Sequence, residues 1–260
     1  MSFHDEHQNY VISASYGNDS MAMIQWARDS LLKASGDVTV VFCDTGWSAP
    51  GWSDRVKHGE AFAAKCGFKV VRLASMGMED LVRMKSGFPG HGSQFCTAFL
   101  KGLPFLQWID EADTACKATV MIGKRRAESE ARKDTPQFIE SSEYHGGRVV
   151  WHPLYAHSNQ ERDQLLQRAG IEKLPHRSDE CSPCVNANRD DLRRLSNAQI
   201  ARVRALECEI GQPMFRAAKH GGAVGIDEVI HWAKYSPGQF VPGMDDLFIS
   251  DCGSPFGCGL

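Results

Sequence analysis

The sequence lacks the features that mark membrane proteins and secreted proteins. No apolar run approaches the roughly 20 residues that a membrane-spanning helix needs. The first residues are polar and lack the apolar core of a signal peptide. A large excess of charge of one sign is absent too. The net charge is −3, so it gives no global attraction to nucleic acids or acidic membranes. We therefore expect a cytoplasmic protein with no membrane partner, in which only a local basic patch would attract a polyanion.

Several motifs of common enzymes are absent as well. The run G-x-x-x-x-G-K-[ST] is missing, which excludes an ordinary P-loop, and no H-x-x-x-H pair supports a zinc hydrolase. The chain has no internal repeat of solenoid period and no low-complexity segment. It does have 260 residues, of which 42% are hydrophobic, and this is enough for one large α/β domain with a small appendage.

Short apolar runs alternate with longer segments of helical periodicity. The runs are rich in Val, Ile and Met and nearly continuous, as expected for strands covered on both faces. We predict strands at 10–15, 38–43, 69–73, 118–123 and 148–151, and helices at 19–33, 52–66, 78–85, 98–111 and 160–169. This order predicts an α/β fold with a Rossmann-like, doubly wound parallel sheet, whose ligands bind beyond the carboxyl ends of the strands.

The pattern changes after about residue 175. Helical periodicity continues at 190–195, 197–210 and 226–233, but no strand-like run follows. We therefore expect two parts, an α/β domain at 1–175 and a mostly helical, cysteine-containing region at 176–260.

The first predicted strand leads into a turn of mostly small and polar residues, at 15–20, and then into a helix. The N–H groups and the positive dipole end of a helix N-terminus favour an anion at this point. Gly17 lets a ligand approach the backbone closely, and the hydroxyls of Ser15 and Ser20 add donors. The alternative is an ordinary turn that is capped by Asp19 or Ser20.

Two more polar segments follow predicted strands. Asp44 and Thr45 come at the end of the second strand, where a carboxylate faces the ligand crevice unless it only forms an Asx-turn. Arg125 and Arg132 follow the fourth strand, and guanidinium groups suit phosphate or sulfate. Glu128 can pair with an arginine or hold a substrate hydroxyl. The alternative for this segment is a solvated, charged helix.

Several segments between residues 9 and 155 resemble motifs of the ATP pyrophosphatases and the phosphoadenosine phosphosulfate (PAPS) reductases. These segments follow one another in the same order as the family motifs. The turn at 15–20 resembles their SGGxDS loop, with Tyr16 in place of the first glycine. Asp-Thr-Gly follows at 44–46, and 96–104 resembles Cys-Cys-x-x-x-Lys-x-x-Pro with Thr97 in place of the second cysteine. Residues 123–132 match Gly-x-Arg-x-x-Glu-Ser-x-x-Arg at every fixed position.

This resemblance implies an adenine nucleotide alpha-hydrolase-like fold, of the PP-loop superfamily, that binds ATP or PAPS together with Mg²⁺. The implied nucleotide-binding residues are Ser15, Gly17, Asn18, Asp19, Ser20, Asp44, Thr45, Gly123 and Ser129. The implied catalytic residues are Lys101, Arg125, Glu128 and Arg132.

Three functions follow from the resemblance. The first is an ATP pyrophosphatase, a transferase that adenylates an acceptor for sulfur transfer or nucleic-acid modification. The second is a PAPS reductase, an oxidoreductase that uses Cys258 with thioredoxin as its partner. The third is a non-catalytic nucleotide-binding subunit, in which Tyr16 spoils the loop. A sulfur-carrier or nucleic-acid acceptor and a second copy of the chain are the partners that stay open.

Nine cysteines in a chain of this kind indicate metal binding, redox chemistry or burial rather than a disulfide framework. Cys181 and Cys184 form a CxxC pair, and Cys252 and Cys258 form a wider pair near the C-terminus. Four thiolates suit Zn²⁺ or a [4Fe-4S] cluster, so we predict a metal site from these four residues. The alternatives are an unligated or redox-active CxxC and, for Cys258, the nucleophile of a mobile tail.

A basic cluster follows the CxxC pair, formed by Arg189, Arg193 and Arg194. These side chains could contact a nucleic-acid backbone, although a solvated helix face is the simpler interpretation.

Overall fold

The five predicted strands and one further strand form a six-stranded sheet in the order β3-β2-β1-β4-β6-β5. The computed structural model describes residues 9–31, 37–90, 92–217 and 220–235. The strands are β1 (Tyr10–Ser13), β2 (Val38–Asp44), β3 (Lys69–Ala74), β4 (Thr119–Ile122), β5 (Phe138–Ser142) and β6 (Arg148–Trp151). All neighbours pair in parallel except β5, which runs antiparallel to β6 at the edge. The predicted α/β fold with a doubly wound sheet is therefore confirmed.

Strand β5 is the one strand that we did not predict among the described residues. Four of its five positions are exposed, so it has neither the continuous apolar run of a covered strand nor a clear alternation. Its place at the sheet edge explains this composition, since only one side of it pairs with another strand.

The helices in the described ranges lie close to the predicted positions. They are α1 (Asn18–Leu31), α2 (Trp52–Lys65), α3 (Met78–Lys85), α4 (Phe95–Thr97), α5 (Leu103–Ala112), α6 (Asn159–Ala169), α7 (Arg189–Arg193), α8 (Asn197–Ile210) and α9 (Gly225–Tyr235). The helix predicted at 98–111 is interrupted, because a π-helical segment, Ala98–Gly102, separates α4 from α5. Such π segments are frequent at functional sites.

Both faces of the sheet are covered, and the two-residue period of β1 divides its side chains between them. Tyr10 and Ile12 pack into a core with helices α1, α2 and α6. Val11 points to the opposite face and packs into a smaller core with α5, which contributes Phe105 and Ile109. Burial on both faces accounts for the continuous apolar run of this strand.

The C-terminal helices pack against the α/β domain through a third core. Trp47, Leu81 and Val82 lie in the same buried cluster as Val203 of α8 and Val229 of α9. The residues on the two sides of the predicted boundary at 175 thus share apolar contacts. Their joint burial holds the segment that follows residue 175 against the carboxyl ends of the strands.

None of the helices in the described ranges is long and apolar enough to cross a membrane.

Candidate functional site

The turn after β1 lies at the point where the strand order of the sheet reverses. From β1 the chain proceeds outward to β2 and β3, and it then returns to place β4 on the other side of β1. In doubly wound sheets the crevice at this switch point binds the ligand. The loop after β1 and the segment after β4 both border this crevice, so two of the predicted motifs meet there.

Hydrogen bonds among small side chains hold the loop in shape. The Gly17 N–H donates to Ser15 Oγ at 3.4 Å, and the hydroxyls of Ser15 and Ser20 lie 3.3 Å apart. The Met21 N–H donates to the Gly17 carbonyl at 3.0 Å, which begins the first turn of α1. These contacts leave a cavity of about 30 Å³ between the loop and Gly123. We call it the loop cavity.

Tyr16 fits the loop although a tyrosine replaces the first glycine of the family motif. Its φ of 58° is in the left-handed region, which is uncommon outside glycine. The ring is fully buried, lies 5.6 Å from the Phe42 ring, and packs against Gly59 of α2. A Cβ added at Gly59 would overlap the Tyr16 ring. The tyrosine therefore occupies a slot that Gly59 leaves open, and its ring does not line the loop cavity.

Arg125 is the residue that joins the segment after β4 to the loop. It is 1% exposed, and its Nε donates to Asp19 Oδ1 at 2.5 Å. Nη1 donates to the His157 carbonyl at 3.2 Å, and Nη2 donates to Asn159 Oδ1 at 3.1 Å. The structure thus places Arg125 in a buried ion pair that ties the start of α1 to the start of α6.

Glu128 and Arg132 form a second buried pair beside the loop cavity. Arg132 Nη1 lies 2.5 Å from Glu128 Oε2, and the side chains are 2% and 3% exposed. The Arg125 N–H donates to the same carboxylate oxygen at 2.8 Å. The other oxygen, Glu128 Oε1, is buried without a hydrogen-bond partner in the part of the chain that the structure describes.

The environment of Glu128 favours its protonated form. Burial and the nearby charge of Asp19 raise the pKa of Glu128 to about 7, against the opposing effect of Arg132. A carboxyl with this pKa exchanges its proton near neutral pH. Because Glu128 lines the loop cavity, its protonated Oε1 could donate a hydrogen bond to an anion there.

Lys101 and Thr45 hold the segment that carries the CxxC pair. Lys101 Nζ lies 2.6 Å from Glu180 Oε1, and both side chains are buried. The Thr45 hydroxyl donates to the Glu180 carbonyl at 3.3 Å. Asp44 accepts the Gly46 N–H at 2.9 Å, as the Asx-turn alternative predicted. The structure therefore brings Asp44, Thr45 and Lys101 to the same sheet edge as the loop but gives all three internal partners.

Three thiols lie together beyond this buried pair. Cys181 and Cys184 share a cavity of about 40 Å³ with Cys96, which the sequence did not indicate as a ligand. We call it the thiol cavity. Burial and the neighbouring thiols Cys184 and Cys96 raise the pKa of Cys181 well above its usual value.

The predicted four-cysteine site is only partly within the described residues. Cys252 and Cys258 lie outside them. Among the described residues, no three His, Cys, Asp or Glu side chains are already arranged to hold one metal ion.

Sequence reasoning missed the residues that cover the loop cavity from the C-terminal side. The loop cavity opens into a cleft of about 450 Å³, and Arg162, His176 and Arg177 line both spaces. Ser178 lines the loop cavity and the thiol cavity. The only available signal was the basic pair His176-Arg177 just before the CxxC, and no family motif pointed to it.

Two arginines of the basic cluster after the CxxC pair contact the end of α9. Arg189 Nε and Arg193 Nε donate to the Ala233 carbonyl at 3.0 Å and 2.7 Å, near the end of α9. Arg189 also stacks on Trp232 at 5.0 Å. These two arginines therefore hold α7 against α9, and the burial of Arg189 corrects the solvated-face interpretation for that residue.

The phosphoadenosine phosphosulfate reductase domain is the family whose sequence model matches this chain, over residues 9–178. The match includes the loop, the buried pairs of Arg125 and Arg132, and Arg177. No curated protein sequence matches the chain.

Solved structures are similar to this chain at low sequence identity. The U34-tRNA thiolase NcsA from Methanococcus maripaludis, with its [4Fe-4S] cluster, is 13% identical, with 90% of this chain and 82% of that chain covered and a TM-score of 0.52. The phosphate complex of phosphoadenylyl-sulfate (PAPS) reductase from Candida auris is 15% identical, with 65% and 76% covered and a TM-score of 0.45. The NH3-dependent NAD synthetase from Campylobacter jejuni, in complex with the nitrate ion, is 11% identical, with 80% and 87% covered and a TM-score of 0.44.

The packing of Tyr16 on Gly59 predicts that Gly59→Ala destabilises the wild-type protein but does not destabilise a Tyr16→Gly variant. Gly59→Ala should lower the free energy of unfolding by about 1–3 kcal/mol, because its methyl group displaces the Tyr16 ring. In a Tyr16→Gly background the same substitution should be neutral or stabilise by up to about 1 kcal/mol, because alanine is the better helix former. Urea unfolding of the four proteins measures both effects. Equal effects of Gly59→Ala in the two backgrounds would contradict the packing.

Proposed function

Since this chain belongs to the phosphoadenosine phosphosulfate reductase domain family, we propose that it is an ATP pyrophosphatase that adenylates an acceptor for sulfur transfer or nucleic-acid modification. The observation that carries the proposal is the meeting of the loop and the segment after β4 at the switch point of the sheet. Backbone donors and the dipole of α1 favour phosphate there. The adjoining cleft of about 450 Å³ falls within the usual size of small-molecule sites.

In the proposed reaction an acceptor nucleophile attacks the α-phosphorus of ATP, the bond to pyrophosphate breaks, and the acceptor carries the AMP group. A sulfur nucleophile or water then displaces that group from the acceptor and releases AMP. Negative charge develops on the leaving pyrophosphate, which the N–H groups of α1 and the hydroxyls of Ser15 and Ser20 would stabilise. Mg²⁺ enters with the ATP substrate and neutralises phosphate charge.

The predicted catalytic side chains act, in this proposal, mainly as positioning residues. Arg125 fixes Asp19 and the start of α1, and Lys101 fixes Glu180 and the segment after residue 177. Both are buried in ion pairs, and removing one partner of such a pair leaves the other charge buried without a counter-ion. Glu128 differs from them, because its side chain lines the loop cavity and its Oε1 has no hydrogen-bond partner in the described part of the chain.

A nucleotide panel tests the proposal against its two alternatives. We expect ATP with Mg²⁺ to bind in preference to PAPS and adenosine phosphosulfate and, with acceptor candidates, to give AMP and pyrophosphate. Gly17→Ala should weaken ATP binding at least about tenfold, because its Cβ would lie 3.0 Å from Ser178 Cβ. Gly92→Ala is the matched control, because its Cβ meets nothing within 4 Å.

The same panel distinguishes the other functions. If the wild-type protein instead released sulfite from PAPS in the presence of thioredoxin and lost this activity in Cys258→Ser, that result would show a PAPS reductase and contradict the proposal. Tight ATP binding without AMP formation for any acceptor would favour the non-catalytic subunit.

The raised pKa of Glu128 predicts that ATP binding weakens as the pH rises. Below about pH 7 the protonated carboxyl donates to a phosphate oxygen, whereas above it the ionised form repels the phosphates. Binding is then coupled to proton uptake, so affinity should fall by up to about tenfold per pH unit above about pH 7. Calorimetric titration between about pH 6 and pH 8 measures this.

Two variants separate Glu128 from other titrating groups. Glu128→Gln keeps a donor and cannot ionise, so its affinity should be nearly independent of pH in this range. His176→Gln removes the histidine that lines the same cavity and should keep the wild-type slope. If the affinity of Glu128→Gln for ATP depended on pH as strongly as that of wild type, Glu128 would not be the titrating group.

We also propose a metal site at the thiol cavity, with Zn²⁺ or a [4Fe-4S] cluster as the bound group. Cys181 and Cys184 would supply two thiolates, and Cys96 in the same cavity or the predicted Cys252 and Cys258 would supply the others. A bound metal would deprotonate the thiols, whose proximity otherwise raises the pKa of Cys181. The structurally similar NcsA holds a [4Fe-4S] cluster.

Elemental analysis and a visible absorption spectrum of protein purified without oxygen test this site. Cys181→Ser and Cys184→Ser should each lose most of the metal, whereas Cys208→Ser, which removes an exposed thiol on α8, should not. Comparison of Cys96→Ser with Cys252→Ser and Cys258→Ser identifies the remaining ligands. A colourless, metal-free wild-type protein whose unfolding is unaffected by chelators would contradict the site.

A further inference from the structure

We propose that Arg177, from the segment 174–178, is the cation that contacts the bound phosphates. This inference rests on the proposed function, since it names a phosphate-binding residue of the same site. The family motif supplies other cations, but Arg125 and Lys101 are held in short, buried ion pairs of 2.5 Å and 2.6 Å, and Arg132 Nη1 lies 2.5 Å from Glu128 Oε2. Arg177 lies on a segment that none of the recognised motifs includes.

The position of Arg177 is the first argument. Its side chain is 10% exposed and lines the loop cavity, the cleft and the thiol cavity. Its neighbour Ser178 packs so closely on the loop that a Cβ at Gly17 would lie 3.0 Å from Ser178 Cβ. An anion on the loop would therefore lie beside this segment, with Arg177 at the mouth of the cleft.

The segment that carries Arg177 is fixed to the loop. Asn18 makes two hydrogen bonds to Leu174, since its Nδ2 donates to the Leu174 carbonyl at 2.9 Å and its Oδ1 accepts the Leu174 N–H at 2.9 Å. Arg55 adds two more ties, because Nε donates to the Tyr16 carbonyl and Nη1 donates to the Glu172 carbonyl, both at 3.1 Å. A cation on such a segment is preorganised, which lowers the entropic cost of binding.

The ion pairs of Arg177 distinguish it from the buried arginines. Arg177 Nη1 lies 3.5 Å from Asp191 Oδ2 and donates to the Asn186 carbonyl at 3.2 Å. The pair with Asp191 is about 1 Å longer than those of Arg125 and Arg132, and Coulomb attraction weakens with distance. Arg177 thus lines the loop cavity and also contacts the segment that follows the CxxC pair. A guanidinium also binds phosphate in a bidentate fork.

Arg162 is the second basic residue at both the loop cavity and the cleft, and it serves as a comparison. Its Nη2 lies 2.6 Å from Asp163, and its Nη1 lies 3.8 Å from Asp19. The short pair with Asp163 orients it toward its own helix. We assign the direct contact to Arg177 for this reason.

Binding of inorganic pyrophosphate and of ATP to the full-length protein, measured by calorimetry, tests the assignment. Arg177→Gln should weaken both at least about tenfold and reduce the salt dependence of binding. Arg177→Lys keeps the charge but loses the fork, so its affinity should lie between those of wild type and Arg177→Gln. Arg204→Gln is the matched control, because Arg204 pairs with Asp227 at the surface and lines neither the cleft nor either cavity. It should change the affinity less than about twofold.

The outcomes separate this assignment from the proposed function. If Arg177→Gln binds pyrophosphate as wild type does while Gly17→Ala does not, the assignment is wrong and the nucleotide site stands. If wild type binds neither pyrophosphate nor any nucleotide, both are wrong. If Arg177→Gln does not fold, equal affinities of Arg177→Lys and wild type would overturn the assignment.

Discussion

The buried ion pair between Arg125 and Asp19 is the constraint on which the site depends. It joins the segment after β4 to the first turn of α1 across the switch point of the sheet. A buried charge pair gains little over an apolar contact of equal size, but the loss of one partner is costly. The pair therefore specifies one arrangement of the two segments. Glu128 and the loop cavity lie where they do because Arg125 also donates its backbone N–H to that carboxylate.

A second set of contacts joins the C-terminal region to the same edge of the sheet. The Trp47 indole donates to the Pro183 carbonyl at 2.9 Å, and the Ser182 N–H donates to the Trp47 carbonyl at 2.8 Å. Lys101 and Glu180 add a buried charge pair. Arg177 and Ser178 line both the thiol cavity and the loop cavity. The thiol cavity and the loop cavity, which differ in chemistry, thus have these two lining residues in common.

The sequence allowed the fold to be predicted where burial leaves a pattern. Strands covered on both faces, such as β1 and β2, appear as continuous apolar runs, whereas the exposed edge strand β5 has no such pattern. The segment at 123–132 was placed correctly beside the loop, yet the burial of Arg125 could not be read from it. A local sequence does not distinguish an arginine that faces a ligand from one that neutralises a carboxylate, because the partner Asp19 lies 106 residues away. The sequence did not indicate that Arg177 lies beside the loop, because the contact between Asn18 and Leu174 that places its segment there spans 156 residues.

The slot that Gly59 provides for Tyr16 has a consequence for protein engineering. A tyrosine-bearing loop of this kind cannot be transplanted alone into a related scaffold, because the recipient must also present a residue without a side chain on its second helix. The loop and the helix position form a single exchangeable unit. Chimeras that divide the chain between residues 16 and 59 would therefore combine incompatible halves unless both parents carry the same pair.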